Sequence, residues 1–454
     1  MGWEADWRAD LDRFLEPFVA RLGHRARRAM CSLYVAGLIG PGDRKSIQPM
    51  ATRLGLHSHD ALHHFISAGS WDTEPLGAEL LAQADRLGGP EAVLIVDDTA
   101  LPKKGSSSVG VAPQYATVLG KNANCQTLVS LTLASGEVPV PIALRLFLPE
   151  SWTADTMRLD KAGVPPERRT FHSKPEIALE EIDRVRAAGV RFGAVLTDAG
   201  YGASALFRQG LSERELKWAV GVPRTLKVYP VDVAMVAPQP GGRGRPRLRS
   251  EPDQTSQPAE TVLAPADWQE VSWRSGTKGP LSGRFAARRV RVADGPAQQI
   301  GGRPAQHLPG EEAWVVGELR ASGERKYYLS NLPADADLRT LAAAIKARWS
   351  CEQAHQQLKE ELGLDHFEGR SWTGLHRHAL LTMIAFAFLQ HRRLAQVRRG
   401  KKNPRPTPSA KPARRPASDR HGPRTATPAQ PMPALPTMDH ADAQNRSAKV
   451  VLAW

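Results

Sequence analysis

Three stretches of the chain carry acidic residues that could hold a hard cation. In two the acids follow apolar, β-rich runs: "VLIVDDTALPKKG" carries Asp97 and Asp98, and "AVLTDAGYG" carries Asp198 just before a glycine-flanked turn. Carboxylates at the ends of strands in an α/β sheet face the crevice in which such folds bind ligands. One such Asp alone also suits a helix cap or a turn. Two in one sheet, however, offer oxygens from separate elements, as a hard metal ion requires. A third carboxylate comes from "RWSCEQAHQQLKEELG" (348–363), which as a helix places Arg348, Glu352, His355 and Lys359 at i, i+4, i+7 and i+11 on one face. A Glu between cations is held in its ionised, metal-binding form, although the same spacing also describes a solvated face laced with ion pairs. Cys351 and His355 are at i,i+4 as well, but no oxyanion hole or orienting acid is evident beside them. Cys351 is therefore expected to be a bystander.

These side chains need a sheet and a helix to bring them together. Leu11, Phe14, Leu15, Phe18, Val19 and Leu22 fall at helical spacing. "RKSIQPMATRLGLHSHDALHHFISAGSW" (44–71) reads as helix, turn, helix, a layout shared by DNA-reading units and by plain packed helix pairs. The four His of "HSHDALHH" lack a Cys or a spaced acid and read as polar surface. Runs 91–98, 125–135 and 138–149 are strand-like, and "EIALEEIDRVRAAG" (176–189) is helical with a Gly stop. Strand 192–198, helix 202–216 and strand 217–223 follow. A three-strand meander followed by alternating helices and strands predicts an α/β layer architecture with a mixed sheet. Residues 225–333 hold a Pro/Gly/Arg-rich loop and then short β-like runs, which predicts a β-rich insertion, and 337–363 returns to one long helix.

The chain has 454 residues, enough for several domains and a large core, and ordinary apolar content of 41%. Its longest apolar stretch, "ALLTMIAFAFLQ" (379–390), is short of the roughly 20 residues that span a bilayer. The acidic, amphipathic start is unlike a signal peptide. No membrane association is expected. Three widely spaced cysteines give no disulfide framework and fit a reducing compartment. The formal charge is +14, and from His391 onward 14 Lys and Arg face three Asp, leaving about +3 for residues 1–390 (14 − 11). The basic element is thus the tail, where ten Pro between 400 and 454 favour disorder and an anionic polymer is the expected partner.

Taken together, "VDDT", "TDAGYG" and "RWSCEQAHQQLK" resemble the DDE-type transposases of bacterial insertion sequences. The resemblance is to their cut-and-paste branch, whose signature is Tyr, two residues, Arg, three residues, Glu, six residues, Lys. Arg348, Glu352 and Lys359 meet the Arg, Glu and Lys spacings, and Ile345 stands where the Tyr would. The likeness implies an RNase H-like mixed sheet with flanking helices, interrupted by a β-rich insertion. In that frame residues 1–88 are a helical region binding DNA ends, 89–224 and 334–395 the two parts of the catalytic domain, 225–333 the insertion and 396–454 a disordered basic tail.

The resemblance implies a mobile-element enzyme of DNA transposition and recombination, an endonuclease that cuts the ends of its element and joins the 3′-hydroxyls to target DNA. Its first acid falls on Asp97, because the family's acid is commonly followed two residues later by Thr or Ser, which Thr99 supplies; Asp98 is the alternative. Asp198 and Glu352 complete the set, with two Mg²⁺ as cofactors and Mn²⁺ able to substitute. Arg348, Lys359, Lys103, Lys104 and His355 are the expected DNA contacts. Arg243 and Arg245 of "GRGRPRLR" join them through an AT-hook-like core that also reads as a basic linker. Trp268 and Trp273 are candidates for stacking on a displaced base, and equally for core burial. A homodimer in the synaptic complex and a bacterial cytoplasmic location, at the nucleoid when on DNA, are implied too. The competing readings are an inactive or domesticated DNA-binding protein of the same fold and a metal-dependent nuclease without strand transfer.

Overall fold

In the computed structural model, residues 2–116, 119–136, 138–237, 249–276, 279–299 and 305–402 are described. Arg243, Arg245 and the tail from residue 403 lie outside the described residues. The apolar periodicity of the first ninety residues produces α1 (Gly2–Val19), α2 (Arg25–Ile39), α3 (Ile47–Arg53), α4 (Asp60–Ser67) and α5 (Glu74–Gly88). The helix-turn-helix read over 44–71 is α3 and α4. Met50, Leu62, Phe65 and Ile66 dock it into the core, and His57, His63 and His64 stay exposed.

Next come β1 (Val93–Pro102), β2 (Ala112–Ala116), β3 (Lys121–Ser135) and β4 (Val138–Leu146), in which β3 pairs antiparallel with each of the other three. The chain then enters α6 (Lys174–Ala187), whose N-terminus is set by a reciprocal capping box between Ser173 and Glu176. It returns through β5 (Ala194–Thr197), parallel to β1, a one-turn helix α7 (Ala199–Gly202), helix α8 (Ala205–Glu213), and β6 (Trp218–Val222), parallel to β5. The order β4–β3–β1–β5–β6, three antiparallel strands followed by two parallel ones, is the RNase H-like arrangement.

Unlike a separate module, the insertion extends this same sheet. Its strands β7 (Lys227–Pro230), β8 (Gln269–Gly276), β9 (Gly279–Val292), β10 (Glu312–Leu319) and β11 (Arg325–Ser330) join through the β11–β6 ladder, Tyr327↔Val222 to Ser330↔Ala219. β6 would otherwise be an open edge with unpaired backbone groups. Among the described residues the ladder reaches twelve strands.

The two faces of the sheet are covered by largely different helices, with the helix over 349–360 contributing to both. Leu94 and Val96 of β1 share a core with α1, α2, α4, α5, α6 and the last described helix, α11 (Trp372–Lys402). Ile95, pointing the other way, packs with Leu341 and Ile345 of α9 (Leu338–Ala347) and Cys351 of α10 (Trp349–Glu360). The single long helix expected over 337–363 is therefore two. Ser350 Oγ donates to the Ala347 carbonyl 3.0 Å away, and Cys351 N–H to Arg348 O, so side-chain and short-range bonds replace the regular ladder at the junction. No helix among the described residues is long and apolar enough to cross a membrane.

Candidate active site

β1 does not end at its acids. Pairing with β3 carries it from Asp97↔Ser130 and Asp98↔Val129 on to Pro102↔Cys125, because Thr99, Ala100 and Leu101 are buried. What ends there is the parallel ladder: β5 stops at Thr197, opposite Val96, so Asp97 on β1 and Asp198 after β5 stand side by side just past it. Alternation along the strand gives the two neighbouring acids opposite faces. Asp97 follows Ile95 toward α10, while Asp98 follows Leu94 and Val96 toward α6.

Asp97 Oδ1 accepts the Asp98 N–H at 2.8 Å, and Oδ2 accepts from Arg348 Nη1 at 2.6 Å. The other guanidinium nitrogen of Arg348 pairs with Glu352 Oε1. One cation thus bridges the β1 acid and the α10 acid, and Asp198 is close enough to act on the charge of both Asp97 and Arg348. Burial pushes the Asp97 carboxyl up to about 7; Arg348 opposes this and Asp198 adds to it. Burial works against the Arg348 charge, but Asp97, Glu352 and Asp198 outweigh it and raise the guanidinium pKa. Glu352 is the open member of the set, its side chain 60% exposed against 15% for Asp97. Asp97 and Glu352 thus share the Arg348 guanidinium, and Asp198 acts on it through its charge. The three are hard oxygen donors from three elements, the type that Mg²⁺ or Mn²⁺ takes. Among the described residues, however, they are not drawn within 4.8 Å of one another as Asp97, Cys351 and His355 are.

Asp198 caps α7, its Oδ1 accepting the Gly200 N–H at 2.9 Å. The turn lies tight on β6. A Cβ on Gly202 would fall 2.1 Å from the Gly221 carbonyl oxygen, and one on Gly221 would fall 2.7 Å from Ala199 N. Asp98 is engaged elsewhere, by the Tyr201 hydroxyl and by Lys174 Nζ at 2.5 Å. Sequence reading passed over Tyr201, Lys174 and the two glycines. For Tyr201 and Gly202 the signal available was "DAGYG", in which a bulky ring follows the acid by three residues between two glycines; nothing local marks Lys174 or Gly221.

Several expected contacts stand differently. His355 does not share Glu352's exposure: about 60° round the helix from Glu352 and about 40° from Cys351, it is turned into the sheet, 6% exposed, with Nε2 2.7 Å from Ser130 Oγ. It is unavailable to DNA. With Cys351 it brings a nitrogen and a sulfur within 4.8 Å of an Asp97 oxygen, a softer set than Mg²⁺ prefers. Burial drives the thiol pKa up and the imidazole down to about 3, so no thiolate–imidazolium pair forms. Lys103 is a structural tie, its Nζ donating to the carbonyls of Phe367 at 2.7 Å and Asp365 at 3.3 Å, whereas Lys104 is exposed. Lys359 is half-buried, its pKa lowered by burial against the pull of Asp365, Glu360 and Asp97. Trp268 lies against Gly317 under the Arg325 guanidinium, and Trp273 stands edge-on to Phe285 with Lys346 over its ring.

Known proteins share this chain's features to different extents. The family described as DDE superfamily endonuclease matches residues 17–280. A probable transposase for insertion sequence element IS701 from Microchaete diplosiphon is 31% identical over 190 residues, covering 41% of this chain. The match spans 46% of that relative's length. Among solved structures, a chain of the piggyBac transposase synaptic complex with hairpin DNA aligns over 90% of this chain and 84% of its own length, at 11% identity and a TM-score of 0.33.

Proposed function

The chain belongs to the DDE superfamily endonucleases, and we propose that it is the transposase of an insertion sequence, cutting the element's ends and joining the freed 3′-hydroxyls to target DNA. The observation that carries this reading is the pairing of Asp97 of β1 and Glu352 of α10 with the one guanidinium of Arg348, with Asp198 just past the end of the strand neighbouring Asp97. A protein that only binds DNA has no chemical use for three carboxylates so placed. In the proposed assignment these are the metal ligands and Asp98 is not.

When bound, two Mg²⁺ would activate water or a 3′-hydroxyl and stabilise the leaving 3′-oxygen. The chain's own residues set up that chemistry. Asp97 and Asp198 are fixed by a backbone N–H each, at 2.8 Å and 2.9 Å, so their carboxylates are aimed before any ligand arrives. Glu352 on the exposed side of α10 closes the site from the solvent, where DNA must enter. The Arg348 fork, which here pairs with Asp97 and Glu352, would suit a phosphate geometrically. Lys359, two turns along α10, is placed to meet the next one. The same site serves cleavage and joining, since only the nucleophile differs. The proposed assembly is a homodimer on DNA, with residues 1–88 reading the element's ends, the insertion between 225 and 333, and the basic tail adding non-specific grip.

The test is full-length protein with Mg²⁺ and DNA carrying its element's own ends, wild type against Asp97→Asn and Glu352→Gln. Wild type is expected to yield cut ends and joined product, and each variant neither, with melting temperatures retained. Equal activity in Glu352→Gln sinks the assignment, and cutting without joining points to a nuclease.

A further inference from the structure

We propose that Asp98 is a positioning residue: through Tyr201 it holds the Asp198-bearing turn at a set distance from Asp97. This rests on the reading of Asp97 and Asp198 as metal ligands. Both oxygens of the Asp98 carboxylate are taken, Oδ1 by the Tyr201 hydroxyl and Oδ2 by Lys174 Nζ at 2.5 Å, on the face of β1 opposite Asp97. Tyr201 is three residues beyond Asp198 in the same helical turn. Its ring is 2% exposed and lies 5.7 Å from Phe207 of α8. Lys174 is the first residue of α6, held by the Ser173–Glu176 capping box. Three elements that carry or flank the acids, β1, α7 and α6, therefore meet on one carboxylate.

This tie constrains what the glycines leave free. The contact of Gly202 with Gly221 fixes how closely α7 lies on β6, but glycine against backbone offers no directional bond to stop the turn sliding along the sheet. The Tyr201–Asp98 bond supplies that direction and ties the turn to the strand that carries Asp97. Asp198 in turn takes its orientation from Gly200 N–H within the turn. A shift of α7 is thus a shift of the Asp198 carboxylate relative to Asp97.

The experiment measures Mn²⁺ affinity of the full-length protein by electron paramagnetic resonance of the free ion, together with melting temperature. The variants are Asp97→Asn, Asp98→Asn, Asp98→Ala, Tyr201→Phe and the Asp98→Ala/Tyr201→Phe double. Groups that orient ligands typically contribute 10–100-fold in metal affinity, so Tyr201→Phe and Asp98→Ala are each expected to weaken Mn²⁺ roughly 10-fold. The double variant should be no weaker than the worse single one. Asp98→Asn, which keeps an acceptor oxygen for the tyrosine hydroxyl, should lie nearer wild type, and Asp97→Asn should lose the ion. Wild-type affinity in Tyr201→Phe, or additive losses in the double, overturns the proposal. So does an Asp98→Asn as damaging as Asp97→Asn, which makes Asp98 itself a ligand. Wild-type affinity in Asp97→Asn overturns the underlying site instead.

Discussion

Replacing Gly221 by Ala should damage the proposed metal site from below. Gly221 lies inside β6, and its added Cβ would stand 2.7 Å from Ala199 N and 3.0 Å from the Asp198 carbonyl carbon. Both are backbone atoms, so no rotamer change relieves the contact. Reaching an ordinary 3.4 Å separation moves the turn by about 0.7 Å (3.4 − 2.7). Overpacking of this kind costs about 1–3 kcal/mol of stability. A catalytic constellation tolerates only about 0.5 Å, so Mn²⁺ affinity should fall by more than 10-fold and cleavage of end-bearing DNA by roughly 100-fold. The assay pairs a Mn²⁺ titration with calorimetric melting. Gly77→Ala is the control. Its Cβ meets nothing within 4 Å and it sits inside α5, where Ala is better than Gly by up to about 1 kcal/mol, so stability should hold or rise with binding unchanged. A Gly221→Ala protein that melts, binds Mn²⁺ and cuts DNA like wild type would refute the packing argument.

Buried histidine makes the body acid-sensitive. Burial lowers the His378 pKa to about 4; its Nε2–H donates to the Gly363 carbonyl at 3.0 Å and its Nδ1 accepts from the Tyr34 hydroxyl at 2.8 Å. Because the folded value lies below the unfolded one of about 6.5, the unfolded chain binds the proton first. Its contribution is complete above about pH 6.5 and lost as pH falls through 4, roughly 3 kcal/mol in all. Urea unfolding between pH 7.5 and 4 should therefore be less pH-dependent in His378→Gln than in wild type, and an equal slope in the two contradicts this. The neighbouring lysines should separate cleanly. Lys103→Ala, which removes two bonds to the loop after α10, should lower the melting temperature and leave the salt dependence of DNA binding unaltered, whereas Lys104→Ala should do the reverse if that exposed side chain meets phosphate.

The strands and the helix that carry the proposed acids were legible because they obey local rules: apolar β-branched runs, and a helical segment with cations flanking Glu352. What stayed hidden depends on which way a residue faces after folding. Consecutive Asp97 and Asp98 are equivalent in sequence, and only the placement of α10 on one face and α6 on the other separates them. His355 belongs to the Glu352 face by heptad-like counting, yet a rotation of some tens of degrees puts it against Ser130. Lys103 looks like a free basic turn because its partners, the carbonyls of Asp365 and Phe367, are more than 250 residues away. The insertion's strands read as a module of their own, since nothing local announces that β11 will pair with β6.

That last pairing bears on how the Glu-bearing helix is held. Lys346, at the end of α9, reaches Glu318 of β10 at 2.7 Å, and Glu318, 4% exposed, also accepts from the Tyr328 hydroxyl of β11 at 2.8 Å. Two residues further on, Arg348 reaches Asp97. The α9–α10 junction is therefore pinned on one side by the insertion and on the other by the first acid, with the helix ladder interrupted between them by Ser350. A buried carboxylate left without its partners is far more costly than an exposed ion pair, so Glu318 ties the register of the insertion strands to the junction from which Glu352 projects. An element that sequence alone describes as inserted is, in the folded chain, one of the supports of the third carboxylate.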